Sequence, residues 1–237
     1  MSGGGGNLTA SSKGFTLAEV LITLGIIGVV AALTMPALIA NSRKNEYSSR
    51  LKKFYSMMEQ AIIMSELDNG QISDWVRSGD SQHDEDGDYD FEANGKITKE
   101  FFTRYLAPYF KYTNITDGKN LIDENNEKTG ENTTIHLVDG STISLFNGSC
   151  IDVIFDTNGN VPPNESARDQ FRFLFCLNKT DQIGHCGKEN KVFCTYGLNN
   201  TSSRSTILNT CKTNTAYCSR LLQIDGWEFK KDYPHRL

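Results

Sequence analysis

Histidine is scarce in this chain, and cysteine is missing until Cys150. The four histidines, His83, His136, His185 and His235, stand in no recognisable nucleophile or metal pattern, so the sequence offers no His-based catalytic constellation. The six cysteines, Cys150, Cys176, Cys186, Cys194, Cys211 and Cys218, contain no C-x-x-C pair, and only His185 lies next to one of them. That spacing excludes the usual zinc patterns and leaves disulfides in an oxidising compartment as the better reading, with 15 pairings open. Basic excess is absent too: 24 Lys and Arg stand against 29 Asp and Glu, a formal net charge of −5. With no basic patch, nucleic acid is not expected as a partner.

Charge of either sign is missing from Val20 to Ala40, 21 residues in a row. As a helix this run would be roughly 31 Å long, enough to span a bilayer. Glu19 stands at its edge. A carboxylate at the centre of such a segment costs about 2.5–3.5 kcal/mol, less near an interface, and calls for a partner. Lys13 ahead of the run favours a cytoplasmic N-terminus, and Pro36, which cannot donate a backbone hydrogen bond, predicts a kink over residues 32–36. Beyond Asn41 the helical period continues in Tyr47, Leu51, Phe54, Met58 and Ile62, with most charges elsewhere around the helix. One helix from about Leu17 to Leu67 is expected, ended near Gly70, with its second half lying on a globular domain.

Lysine and arginine are absent from "DSQHDEDGDYDFE", residues 80–92, which carries seven acids. It reads as a solvated loop that repels itself open, the alternative being a divalent-cation loop without the closing glutamate. A short helix is expected in residues 97–110, with Phe101, Phe102, Tyr105 and Leu106 facing inward. Alternating segments 134–138, 141–146 and 150–155, separated by Asp139-Gly140 and Asn147-Gly148, predict an antiparallel meander, and residues 170–177 a fourth strand. If the third and fourth strands pair about the middle of the loop between them, Cys150 falls opposite Cys176. The tail would hold the other four cysteines and end in a short helix followed by a strand carrying Trp227 and Phe229. The fold class is therefore α+β: a long N-terminal helix on a small antiparallel sheet, with a disulfide-bearing C-terminal region.

The stretch "KGFTLAEVLITLGIIGVVAALTMPAL" resembles the N-terminus of type IV pilins and type II secretion pseudopilins. The resemblance implies a leader, residues 1–14, removed by a prepilin peptidase after Gly14, and N-methylation of the new first residue, Phe15. By subtraction, 237 − 14 leaves 223 mature residues. It implies that Glu19 meets the Phe15 amine of a neighbouring subunit during filament assembly, and that the helix loosens around Pro36. The implied organisation is leader 1–14, hydrophobic membrane and assembly half 15–40, amphipathic half 41–68 and globular domain 69–237. The implied partners are the peptidase, other pilin or pseudopilin subunits and an inner-membrane assembly platform. The implied location is the inner membrane in a single pass, globular domain periplasmic, then a periplasmic or extracellular filament. A looser likeness, "DVIFDTNGNVPPNESARDQFRF", raises Asp156, Asn158 and Asp169 as calcium ligands beside the plainer reading of an Asx-rich turn; no other cofactor is expected.

No enzymatic activity is expected. The competing reading is a signal-peptide-secreted or membrane-anchored disulfide-rich domain with a binding role. Against it, the apolar run exceeds a signal peptide's 7–15-residue core and no A-x-A site precedes the polar chain. The acidic loop and cysteine-bearing tail lean towards a minor filament subunit.

Overall fold

The computed structural model describes residues 14–125, 127–197 and 203–237, so the expected leader lies outside the described residues except for Gly14. The chain divides into two compact units, Met1–Ser42 and Arg43–Leu237. Helix α1, Leu17–Asn69, is a single 53-residue element with Pro36 inside it. It is long and apolar enough to cross a membrane by length and composition. Gly70 follows with φ +81°, and its N–H reaches the Glu66 carbonyl at 3.1 Å. That left-handed residue ends the helix where a side chain would be strained.

In the first unit every described large apolar side chain is exposed, from Phe15 and Leu17 to Leu38 and Ile39. The few hydroxyls there satisfy themselves: Thr23 donates to the Val20 carbonyl at 3.0 Å and Thr34 to the Val30 carbonyl at 2.9 Å. Such internal bonding lets polar side chains enter an apolar solvent without an orphaned donor.

In the second unit α1 buries one stripe, Tyr47, Leu51, Phe54, Tyr55, Met58, Ala61 and Ile62. The stripe packs on a six-stranded antiparallel sheet in the order β1-β4-β5-β6-β7-β8. Its strands are β1 Tyr112–Thr116, β4 Thr133–Leu137, β5 Thr142–Asn147, β6 Ile151–Asp156, β7 Gln170–Phe175 and β8 Phe193–Thr195, while β2 Lys119–Ile122 and β3 Lys128–Glu131 form a separate hairpin. Alternation puts Ile135, Ile143, Leu145, Val153, Phe155, Phe171 and Phe173 on the buried face. Phe54 lies parallel to Phe155 with ring centroids 4.1 Å apart and edge-on to Phe173 at 5.2 Å.

The expected meander is present, and its register pairs Ile151 with Phe175, so Cys150 and Cys176 follow opposite each other and are joined. Cys186 pairs with Cys194, tying helix α3 (Lys179–Cys186) to β8, and Cys211 pairs with Cys218, tying α4 (Arg204–Thr213) to the first residue of α5 (Cys218–Ile224). Three expectations need correction. Helix α2 runs Phe91–Tyr105, starting earlier than residue 97, because the Asp90 carboxylate caps it by accepting from the Glu92 and Ala93 N–H groups. Gly95 within it is a close-packing position, since a Cβ there would meet the Gly118 Cα at 2.9 Å. The C-terminal strand does not form. Gly226 and Trp227 both take positive φ, 70° and 69°, which folds Trp227 onto Tyr55, and their rings stand 5.0 Å apart.

The acidic stretch is not self-repelled. Lys128 of β3 lies 2.6 Å from Asp84 Oδ2, 2.6 Å from Asp86 Oδ2 and 3.4 Å from Asp88 Oδ2. The cation that meets these three carboxylates comes from 40–44 residues away in sequence, where a reading confined to the acidic run cannot find it.

Truncating Phe54 to alanine removes the ring at the centre of the helix–sheet interface. Phe54→Ala should cost about 3–5 kcal/mol in chemical unfolding followed by far-UV circular dichroism.

Candidate functional site

The start of α1 is built by a local exchange of hydrogen bonds. Glu19 Oε2 accepts from the Thr16 backbone N–H at 2.8 Å and from the Thr16 hydroxyl at 2.7 Å, while Thr16 Oγ1 accepts from the Glu19 N–H at 3.3 Å. This is a capping box: Thr16 as N-cap and Glu19 at the third helical position satisfy each other's orphaned donors. The carboxylate also lies at the positive end of the helix dipole. Thr16 is not among the expected site residues, although the spacing in "TLAE" carries the signature that could have found it. Phe15, one residue before the cap, is almost wholly exposed, 89%. The geometry therefore presents a carboxylate, already oriented by its own helix, four residues after an exposed aromatic at the head of an apolar rod.

The second set of candidates lies at the far end of β6 and β7. Asp156 Oδ1 accepts from the Asn158 N–H at 3.0 Å, and Oδ2 accepts from Gln170 Nε2 at 3.0 Å. Asp169 is fully buried; its Oδ1 accepts from the Glu165 N–H at 2.7 Å and its Oδ2 from the Asn164 N–H at 2.9 Å. Arg50 of α1 donates to the Asp139 carbonyl at 3.1 Å and the Thr157 carbonyl at 2.7 Å, so one guanidinium ties the helix to two loops. Lys53 reaches Asp139 Oδ2 at 2.7 Å. Burial works against ionising Asp139, but Lys53 and the Ser141 hydroxyl and N–H hold its pKa down to about 2. Burial pushes the Asp156 carboxyl up to about 6.

Two of the four histidines hold contacts within the fold. His136 Nε2 lies 2.8 Å from the Thr116 hydroxyl, and His235 Nε2 lies 3.0 Å from the Cys211 carbonyl. Cys211, Cys218 and His235 converge, but the two sulfurs are bonded to each other and offer no thiolate.

Residues 37–237 match the family model described as "Family of unknown function (DUF6613)", most of the chain. The chain belongs to that family. Ahead of the DUF6613 region, residues 9–35 match the prokaryotic N-terminal methylation motif, which contains Gly14, Phe15, Thr16 and Glu19. Two curated relatives are named type II secretion system core protein G. That of Escherichia coli (strain K12) is 36% identical over 61 residues, 26% of this chain and 41% of the relative. That of Pectobacterium carotovorum subsp. carotovorum is 36% identical over 59 residues, 25% of this chain and 37% of the relative. The match thus spans about two fifths of these relatives. No solved structure matches the chain significantly. The chain is a DUF6613 member that carries a methylation motif and is homologous to a pseudopilin.

The pKa of Asp156 sets a sign. A carboxyl whose folded-state pKa is raised binds its proton more tightly when folded, so its contribution to stability falls as pH rises from the ordinary carboxylate range, about 4, to about 6. Asp156→Asn should therefore unfold less readily than the parent above pH 6, by up to about 2 kcal/mol, with the advantage vanishing below pH 4 in denaturant titrations.

Proposed function

We propose that this chain is a structural subunit of a pseudopilus or pilus, anchored in the inner membrane by residues 15–40 and then drawn into a filament. The single observation that carries the reading is the capping box at the head of an exposed apolar helix: Thr16 orients Glu19, four residues after the exposed Phe15. The methylation motif over residues 9–35 and the homology to type II secretion protein G support it.

In this reading a prepilin peptidase cuts between Gly14 and Phe15 on the cytoplasmic side, and the new Phe15 amine is methylated. The amine is a cation at the start of an apolar helix. A neighbour's Glu19 is its counter-charge when helices leave the bilayer and stack with a stagger. Removing one partner of a buried pair costs about 3–5 kcal/mol, so the pair favours one register over others. The capping box keeps Glu19 hydrogen-bonded before assembly, which lowers the cost of holding its charge in an apolar segment until the amine arrives. Pro36 leaves the Ala32 carbonyl without its usual donor, a point at which the helix can loosen within a filament. The globular domain, residues 69–237, is placed in the periplasm or outside the cell, where its three disulfides persist. Its role is structural rather than catalytic, and its acidic loop and disulfide-bearing tail suit a minor subunit.

Mass spectrometry of the N-terminus, after co-expression with and without a prepilin peptidase, tests the reading. The mature chain is expected to begin at N-methylated Phe15 only when the peptidase is present. A start near Asn41, or an uncut leader beside active peptidase, would return the chain to a secreted or merely anchored domain.

A further inference from the structure

The likeness that raises Asp156, Asn158 and Asp169 as calcium ligands describes a loop held by a cation. The hydrogen bonds describe another means of holding it. Between Thr157 and Asp169 two residues other than glycine take left-handed φ, Asn164 at 52° and Ala167 at 67°. L side chains persist there only when the surroundings impose the conformation. Asp169 supplies much of that constraint. Its carboxylate receives the backbone N–H groups of Asn164 and Glu165, and its carbonyl receives the Thr157 N–H at 2.9 Å and the Thr157 hydroxyl at 3.2 Å. The loop is closed on itself from both ends. Tyr233 then donates to the Ala167 carbonyl at 2.6 Å, and Arg50 fixes the Thr157 carbonyl.

A calcium ion needs six to eight oxygens whose lone pairs converge on it. Here the groups that converge on both carboxylates are donors. Asp156 faces the Asn158 N–H and Gln170 Nε2, and the Asn164 amide, turned so that its nitrogen faces the acceptors, reaches Asp156 Oδ2 at 3.3 Å and the Gly159 carbonyl at 2.7 Å. Asn158 Nδ2 in turn donates to the Val161 carbonyl at 2.7 Å, and Asn158 Oδ1, buried without a donor, is a single oxygen where a calcium ion needs six to eight. A cation would have to displace or repel these N–H groups. Asp169, with no exposed surface, has no face to turn towards one.

We infer that Asp169 locks this loop in place of a metal, so that residues 157–169 hold their fold without calcium. The inference stands apart from the filament reading, because it concerns only the folding of residues 157–169 and survives whatever the mature N-terminus is found to be.

Thermal unfolding of the full chain in detergent micelles, followed by near-UV circular dichroism in calcium chloride and in EGTA, tests it. The parent Tm is expected to be the same in both, and Asp169→Asn to lower it in both by roughly 5–10 °C. A calcium-dependent rise in Tm that Asp156→Asn abolishes would overturn the inference. A rise that survives Asp156→Asn arises elsewhere and leaves the loop metal-free, as inferred. Should Asp169→Asn fail to fold, the parent and Asp156→Asn decide the matter, since Asp156→Asn keeps both Asp169 clamps.

Discussion

The stack of Phe54 on Phe155 is the contact on which the globular unit depends. It joins the buried stripe of α1 to the middle of the sheet, and Phe173 and Phe193 close around the same ring. Burying an aromatic side chain is worth about 1.5–3 kcal/mol, and each well-placed ring pair adds about 0.5–1.5 kcal/mol. Around this centre Arg50 and Lys53 act as polar brackets. They leave the charged face of the helix to meet the two loops at the end of the sheet, Asp139-Gly140 and the stretch after Asp156. The same helix turn therefore carries the ring that fills the core and, a few residues earlier, the cations that hold the loops.

Residues 15–40 follow the opposite logic. There the described large apolar side chains are exposed, and hydroxyls bond back to their own helix. One polypeptide helix thus serves two solvents: its first half suits hydrocarbon, its second the face of a folded domain. Glu19 sits at the start of the first half without violating its apolar character, because Thr16 meets the carboxylate locally. In the filament reading, the charge proposed to meet a neighbour's amine is oriented by secondary structure before any partner is present.

How much of this could be read from residues alone depends on where the stabilising contacts come from. The α1 stripe was legible because its 3.6-residue period runs unbroken from Tyr47 to Ile62, and the meander because Asp139-Gly140 forces a tight turn with Gly140 at φ +85°. The Cys150–Cys176 pairing followed from the register of two strands flanking one loop. The early start of α2 was hidden by Asn94-Gly95, a turn signal locally, which here permits close approach to Gly118 and Thr133. Helix α3 carries Thr, Asp, Gly, His and Cys and α4 carries three Thr with Ser, Asn and Cys, all poor in intrinsic propensity, and both are held by disulfides and by caps from Asn178 and Ser203. Lys128 illustrates the general limit: its role beside Asp84, Asp86 and Asp88 comes from a hairpin that only tertiary structure brings there. At the N-terminus the need for a partner to Glu19 was legible, as was the motif; the capping box was legible in principle, since Thr16 and Glu19 have its spacing.

The central claim is that Glu19 has two separable roles, a neutral one in capping and a charged one in assembly. Glu19→Gln separates them, since glutamine at the third helical position can still complete a capping box but carries no charge. Filaments sheared from cells expressing this variant, scored by immunogold electron microscopy beside its mature N-terminus by mass spectrometry, measure the difference directly. The account predicts normal cleavage before Phe15 and loss of filament incorporation; incorporation at the parental level would contradict it.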